Sequence, residues 1–244
     1  AGKHVFVEKP ISNTMEDGRA MIEACNAAGV VLSVGHSYRR HAALRKLRDL
    51  IDTGEMGRVS LAEGVFSNSN GLKLKPGAWR TDAVEIPGGC LMQIGIHHVD
   101  NLLYLLGPAT DVTAYFNRLE VEPEIEDVTA LLMRFESGAV GYVAADYISP
   151  RRFQMTLHGT KANAFFDIDN DGLRLQRIGE DKPSPVDIGP SDHLMAELEE
   201  FAECVQDGKV PEVGGTEALL PLAVVLAAQR SSKEGRSVSL SEFM

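Results

Sequence analysis

The chain has 244 residues, of which 44% are hydrophobic and 24% charged, a composition typical of a soluble globular protein with a sizeable core. Its 24 basic and 35 acidic side chains leave a net charge of −11, which repels phosphate backbones and disfavours nucleic-acid binding. The longest apolar run, Ala218 to Ala228, is interrupted by Pro221 and too short to cross a bilayer. Three scattered cysteines match neither a disulfide framework nor a zinc site, which favours a reducing cytoplasm.

The first elements form a strand–helix–strand unit. Val5–Val7 predicts a buried strand, and Asn13 or Thr14 can cap a helix over Met15–Ala28, followed by a second strand at Val30–Val34. Such a unit requires parallel strands. Lys9 directly follows the first strand, and ligands bind outside the carboxyl ends of parallel strands, so we expect Lys9 to face a pocket.

The middle of the chain contains its most informative segment, an apolar helix that starts at Gly88-Gly89 and stops at Leu106-Gly107-Pro108. Gln93, His97 and Asn101 recur in it every four residues. Residues spaced in this way share one helix face, and buried polar groups need partners, so the pattern predicts a polar stripe facing a pocket. Before this helix, the periodicity predicts another helix over Arg39–Thr53 and a strand over Val59–Phe66.

The second half predicts consecutive strands without intervening helices, which implies a mostly antiparallel sheet in an α+β domain. The predicted strands are Asp111–Asn117, Val128–Phe135, Ala139–Ala145, Phe153–His158, Asn163–Asp167 and Gly172–Arg177. Helices around Leu194–Gln206 and Glu217–Ser232 complete the chain.

Several motifs together resemble the glucose–fructose oxidoreductase, inositol dehydrogenase and rhizopine-catabolism (Gfo/Idh/MocA) family of NAD(P)-dependent oxidoreductases. The motifs are Val7-Glu8-Lys9-Pro10, Gly35-His36-Ser37-Tyr38-Arg39-Arg40, Trp79-Arg80 and Gly88-Gly89 followed by Gly95-Ile96-His97. The resemblance runs along the whole chain in the family's order. It implies a Rossmann-type nucleotide-binding domain joined to a domain with a large open-faced sheet.

The chain lacks the Gly-x-Gly-x-x-Gly turn that opens such a nucleotide-binding domain. We therefore expect a fragment or a truncated relative, in which residues 1–36 form an α/β remnant of the Rossmann fold and residues 37–244 the α+β domain. NAD or NADP is the implied cofactor, and binding by this chain alone is in doubt. The residue that distinguishes NAD from NADP normally lies in the absent segment.

His97 and Lys9 are the predicted catalytic residues. The pKa of a histidine lies near neutrality, so His97 can take a hydroxyl proton while a hydride leaves the same carbon. The Lys9 ammonium can stabilise a forming alkoxide, and the resemblance places it between nicotinamide and substrate. The alternatives are a core histidine and a surface lysine. His98 falls about 100° round the helix and is the weaker candidate, which also disfavours a metal site built on both histidines.

Gln93, Asp100 and Arg80 are the predicted substrate-binding residues. Family members often carry an aspartate four residues before the histidine, and the amide of Gln93 cannot ionise, so it can only orient a hydroxyl or His97. Asp100 either accepts a hydrogen bond from His97 or caps a loop. Arg80 suits a carboxylate or a polyol hydroxyl.

The resemblance places the remaining predicted site residues around the cofactor. These residues are Glu8, Lys9, Pro10, Tyr38, Arg39 and Trp79. Trp79 could instead pack a seam between domains.

The predicted function is hydride transfer between NAD(P) and a hydroxylated ring, such as a sugar, a cyclic polyol or a cyclic diol. A regulator that binds sugar or cofactor without turnover and an isolated substrate-binding and oligomerisation module are the alternatives. The family often forms dimers through the uncovered sheet face, which implies a homodimer or homotetramer here. Val140, Tyr142, Phe153, Met155 and Leu157 are candidates for that face, and no membrane partner is expected.

Overall fold

A computed structural model describes residues 1–122, 125–170 and 172–244. The chain begins with the predicted strand–helix–strand unit, formed by β1 (Val5–Glu8), α1 (Met15–Ala27) and β2 (Leu32–Gly35). β1 and β2 pair in parallel. Thr14 is the N-cap of α1, and its side chain accepts a hydrogen bond from the backbone N–H of Asp17. The sequence prediction is therefore confirmed to within two residues at each end of these elements.

A short 3₁₀ turn at Ser37–Arg40 and helix α2 (Ala42–Asp52) follow β2. The predicted single helix over Arg39–Thr53 is thus wrong in its first turn. His41 has extended backbone angles there and caps α2 through its side chain, which accepts a hydrogen bond from the backbone N–H of Ala43. This break lets Ser37–Arg40 lie across the carboxyl end of β2.

The second sheet has nine strands among the described residues and contains the predicted antiparallel series. Its strands are β3 (Val59–Ser67), β4 (Ala109–Asn117), β5 (Val128–Phe135), β6 (Val140–Asp146), β7 (Arg152–Gly159), β8 (Ala162–Asp167), β9 (Gly172–Arg177), β10 (Ser184–Pro185) and β11 (Val238–Ser239). They lie in the order β10-β9-β8-β7-β3-β6-β5-β4-β11. The described pairings are antiparallel except for the parallel pairing of β3 with β6.

Helices cover one face of this large sheet. The segment Leu91–Gly95 is a π-helical turn that leads into α3 (Ile96–Leu106), and α4 (His193–Asp207) and α5 (Gly215–Glu234) follow the strands. α5 packs against β4, α3, α1 and β2, and so joins the small sheet to the large one. None of the helices among the described residues combines the length and apolar character needed to cross a membrane.

The five residues proposed for the uncovered sheet face divide between the two faces. Phe153, Met155 and Leu157 are 0–2% exposed, and Phe153 stacks under Tyr38 and His98 on the helix-covered face. These three candidates therefore do not lie on the open face. Val140 is 39% exposed and Tyr142 half-buried, and they alternate with buried neighbours along β6. A period of two sends alternate residues to opposite faces, and the burial of neighbouring elements decides which face is covered.

His98 anchors α3 to the sheet through close contact with Gly64 of β3. A Cβ at Gly64 would lie 2.8 Å from Cγ of His98. The imidazole is fully buried, and its Nε2 lies 3.2 Å from the carbonyl oxygen of Val65, to which it donates a hydrogen bond. Burial lowers the pKa of His98 to about 4, so the ring is a neutral packing element.

We expect Gly64→Ala to lower the free energy of unfolding by about 1–3 kcal/mol, because the added methyl group overpacks the contact with His98. Urea unfolding followed by circular dichroism measures the change. A double-mutant cycle supplies the control: Gly64→Ala should cost clearly less in a His98→Ala background, because the ring atoms are removed and only Cβ of residue 98 remains, 2.9 Å from the added carbon. An equal loss in both backgrounds would contradict the proposed contact.

Candidate active site

A cavity of about 730 Å³ lies where the carboxyl end of β1 meets the π-helical turn, and its volume is within the range of small-molecule sites. Its lining residues are Glu8, Lys9, Pro10, Asn70, Lys73, Leu74, Trp79, Arg80, Ile86, Met92, Gln93 and Tyr147. Six of the residues predicted from sequence therefore come together here. The sequence prediction missed the other lining residues, because no local pattern shows which loop will fold over a pocket; these are Asn70, Lys73, Leu74, Ile86, Met92 and Tyr147.

Gln93 connects three parts of the cavity wall. Its backbone carbonyl oxygen accepts a hydrogen bond from Nζ of Lys9. Its side-chain oxygen accepts one from the Tyr147 hydroxyl at 3.0 Å, and its amide donates to the backbone oxygen of Arg80 at 3.2 Å. The prediction that Gln93 orients His97 finds no support in these contacts, because both ends of the amide are engaged elsewhere. Gln93 fixes the wall around Lys9.

Lys9 is the ionisable group at the centre of the cavity wall. Burial lowers the pKa of its ammonium from 10.5 to about 8; Glu8 raises that pKa, and Arg80 lowers it further. Lys9 is therefore mostly protonated at neutral pH and loses its proton within a moderately alkaline range. An amine with such a pKa can stabilise negative charge on an oxygen or exchange a proton with it.

His97 lies beside the cavity rather than among the residues that line it. The side chain is half-buried, with its ring 4.6 Å from the Tyr38 ring and 6.2 Å from the Phe66 ring. Its buried Nδ1 has no hydrogen-bond partner among the residues that the structure describes. Burial lowers the pKa of His97 well below 6.5, and the charge of Lys9 lowers it further. His97 is thus a neutral imidazole, able to accept a proton, within the electrostatic reach of Lys9.

Tyr38 contacts the His97 ring and helps to fix its position. Its ring stacks on Phe153 at 4.3 Å and on His193 at 4.9 Å, in addition to its edge contact with His97. The 3₁₀ turn after β2 places Tyr38 in this position. Its observed contacts position His97, and its predicted contact with a cofactor stays a prediction.

Asp100 and Arg39 form a buried ion pair away from the cavity lining. Nε of Arg39 donates to a carboxylate oxygen of Asp100 at 3.0 Å, and a second guanidinium nitrogen binds the other oxygen. His36 lies 3.7 Å from Asp100, with a pKa lowered to about 4 chiefly by burial. The predicted hydrogen bond from His97 to Asp100 is therefore wrong. A guanidinium fork outcompetes a neutral imidazole for a buried carboxylate.

The predicted polar stripe Gln93–His97–Asn101 is not a single face. Gln93 lines the cavity, His97 lies beside it, and Asn101 is completely buried. The π-helical turn at Leu91–Gly95 has a wider hydrogen-bonded ring, which changes the angular register between Gln93 and His97. Asn101 follows His97 in the regular helix α3, which packs against α5 and β3.

The described residues form no metal-binding cluster in this region. Among residues 1–122, 125–170 and 172–244, no group of three or more His, Cys, Asp or Glu side chains is placed to hold a metal ion. Cys25, Cys90 and Cys204 are free and buried.

Comparison with protein-family models gives two matches. Residues 44–165 match the Gfo/Idh/MocA C-terminal domain, and residues 1–36 match the oxidoreductase family with an NAD-binding Rossmann fold. The second match covers the β1–α1–β2 unit that delivers Lys9.

Comparison with individual proteins gives the same family. The chain is 30% identical to scyllo-inositol 2-dehydrogenase (NAD⁺) of Bacillus subtilis, over 98% of this chain and 71% of that protein. It is 28% identical to 1,5-anhydro-D-fructose reductase of Ensifer adhaerens, over 98% of this chain and 73% of that one. Aldose–aldose oxidoreductase of Caulobacter crescentus, solved with glycerol, superimposes with a TM-score of 0.88 at 31% identity, over 98% of this chain and 72% of that one.

We expect Asp100→Asn to lower the free energy of unfolding by about 3–5 kcal/mol, because the buried Arg39 guanidinium loses the carboxylate that binds it directly and keeps only Glu212, at 3.9 Å. Chemical denaturation measures the loss. Asp111→Asn is the matched control: its partner Arg134 is 3.6 Å away and 72% exposed, so the cost should be below about 1 kcal/mol. Equal costs for the two variants would show that the Arg39–Asp100 pair does not stabilise this region.

Proposed function

The chain belongs to the Gfo/Idh/MocA family, and from that premise we propose that it acts as an NAD(P)-dependent oxidoreductase. Hydride passes between the nicotinamide ring and a CH–OH carbon of a sugar, a cyclic polyol or a cyclic diol. The observation that carries the proposal is the pairing of Lys9, whose pKa is lowered to about 8 beside a cavity, with the neutral imidazole of His97. The matched relatives are dehydrogenases and reductases of hydroxylated compounds, which supports the same chemistry.

The residues present suit the nicotinamide end of the cofactor. The cavity combines apolar walls from Leu74, Ile86 and Met92 with the Trp79 indole and the ammonium of Lys9. In this proposal Glu8, Lys9, Pro10 and Trp79 would hold the nicotinamide portion, with Tyr38 and Arg39 supporting the carboxyl end of β2 next to it. Nicotinamide, when bound, accepts or supplies the hydride.

Lys9 and His97 divide the proton chemistry between them. During oxidation of an alcohol, the hydroxyl proton must leave as the hydride departs. Burial keeps the His97 ring neutral, so one of its ring nitrogens can accept that proton, and Nδ1 is buried without a partner among the described residues. The Lys9 ammonium stabilises the developing alkoxide. In the reverse direction, the same two groups polarise the carbonyl and return the proton.

The domain division proposed from sequence keeps residues 1–36 with the nucleotide-binding side and residues 37–244 with the substrate side. The match of residues 1–36 to the Rossmann family supports it. Lys9 then enters the site from one side and Gln93, Arg80 and Trp79 from the other, so hydride transfer takes place at the junction.

We further propose that the uncovered face of the large sheet forms a homodimer or homotetramer interface. A row of side chains crosses five strands on this face, in the register Leu132, Tyr142, Glu63, Thr156 and Phe165. Leu132 is 51% exposed and the other four are half-buried. Burying such a face against a second copy would remove apolar surface from water.

We expect Lys9→Met to lower kcat of hydride transfer by about 100-fold or more. The control is Lys75→Met, which should leave kcat unchanged because Lys75 is exposed and lies outside the cavity lining. Energy transfer from Trp79, the one tryptophan of the chain, to bound NADH or NADPH shows whether cofactor binding survives each substitution. Loss of turnover with retained binding supports the role of Lys9. Equal turnover by Lys9→Met and the parent protein would contradict it.

The pH dependence of alcohol oxidation tests the division of roles. The Lys9 ammonium is lost as the pH rises through about 8, so kcat/KM should fall above that pH, and the acidic limb set by His97 should lie well below 6.5. Lys9→Arg keeps the charge and should move the alkaline limb upward. A rate that instead rises through pH 8 would identify the neutral amine of Lys9 as the base.

We expect the parent protein to be an oligomer in light scattering coupled to size-exclusion chromatography, and Leu132→Glu to dissociate it. Leu119→Glu is the control, since Leu119 is 59% exposed in a loop beyond the end of β4. A monomeric parent protein, or an unchanged mass after Leu132→Glu, would exclude this interface.

A further inference from the structure

We propose that the substrate carries an acidic group in addition to its hydroxyls, and that Lys73 and Arg80 bind that group at the mouth of the cavity. The class comprises hydroxylated rings with a carboxylate or a phosphate. This inference rests on the proposed oxidoreductase function and deepens it.

The net positive charge of the cavity lining is the first observation that supports an acidic substrate. Lys9, Lys73 and Arg80 line it together with a single acidic residue, Glu8, whereas the chain as a whole has a net charge of −11. The other polar side chains in the wall are uncharged, and they belong to Asn70, Trp79, Gln93 and Tyr147. Gln93 is an amide, and burial raises the pKa of Tyr147 to about 12. The cavity is therefore a local positive site in an acidic protein, which concentrates anions.

The positive charges of Lys73 and Arg80 have no acidic partner among the described residues. Neither Lys73 nor the guanidinium of Arg80 forms a hydrogen bond or ion pair with a described residue. By contrast, Arg39, Arg45 and Arg48 each bind a carboxylate. Among the described residues, the lining therefore keeps an excess of positive charge. A substrate anion would balance it.

Arg80 is held in place for this role. Its guanidinium lies over the Trp79 ring at 4.2 Å from the ring centre, and its backbone oxygen accepts the amide of Gln93. The 3₁₀ turn Trp79–Thr81 is closed by the Thr81 hydroxyl, which donates to the Ala78 carbonyl oxygen at 2.7 Å. Stacking leaves the N–H groups at the edge of the guanidinium free to bind a carboxylate or phosphate. The same contacts connect Arg80, through Gln93, to Lys9 and hence to the reacting hydroxyl.

Fluorescence of Trp79 and calorimetry can measure binding directly with matched probes. We would titrate the full chain with D-galactose, D-galacturonate and D-galactose 6-phosphate, and with the corresponding D-glucose series. At least one acidic member should bind about tenfold or more tightly than its neutral partner, corresponding to about 1.4 kcal/mol. Comparing the carboxylate with the phosphate identifies which acid the site takes. Sodium acetate tests for a response to charge without a ring.

Substitutions locate the acid-binding groups. Lys73→Met and Arg80→Met should each lower the ratio of acid to neutral affinity by about fivefold or more, and Lys75→Met, two residues away, should leave it unchanged. Calorimetry is the readout for Arg80→Met, because the substitution alters the surroundings of Trp79. Tighter binding of the neutral sugars, an acid preference that survives both substitutions, an acetate response equal to that of the sugar acids, or no binding of any acid would overturn the inference.

Hydride-transfer assays with the same panel separate this inference from the proposed function. Turnover of neutral sugars without acid preference would overturn the acidic-substrate inference and leave the oxidoreductase function intact. Acid binding that depends on Lys73 and Arg80, without turnover by a protein that binds NADH, would support the inference and count against the catalytic function.

Discussion

The hydrogen bond from the Lys9 ammonium to the backbone carbonyl of Gln93 joins the small parallel sheet to the helical segment that packs on the large sheet. Lys9 arrives at the end of a parallel strand, and Gln93 lies in the π-helical turn that precedes α3. A backbone carbonyl is a fixed acceptor that carries no charge, so it holds the ammonium without neutralising it. Burial then lowers the pKa of Lys9 to about 8, and this places its proton within reach of acid–base chemistry.

The charges around this contact have different roles according to whether they are paired. Arg39 and Asp100 neutralise each other in the interior and tie the 3₁₀ turn after β2 to α3. Lys73 and Arg80, on the cavity side, have no such partner among the described residues. The Arg39–Asp100 pair is thus neutral as a unit, whereas the described cavity lining has an excess of positive charge that could attract an anionic ligand.

The sequence predicted the elements of this site better than their relative orientation. Strand ends, the Thr14 cap and the helix stop at Gly107 follow from local rules of propensity and capping, and the structure confirms them. Ideal α-helical spacing placed Gln93, His97 and Asn101 on one face, and the π-helical turn breaks that spacing between Gln93 and His97. The loop residues Asn70 and Lys73 and the distant Tyr147 reach the cavity only through long-range folding, which no spacing rule describes.

By itself, the sequence determined that a lysine would follow a strand paired in parallel and that a histidine would lie on an apolar helix after two glycines. Local backbone preferences and hydrophobic periodicity act over a few residues, so they are readable from the chain. The tertiary structure alone decided that His97 contacts Tyr38 and not Asp100, and that Gln93 binds Lys9, Tyr147 and Arg80 at once. These partners are chosen by competition among buried polar groups for the strongest available hydrogen bond, and that competition is settled only when the chain has packed.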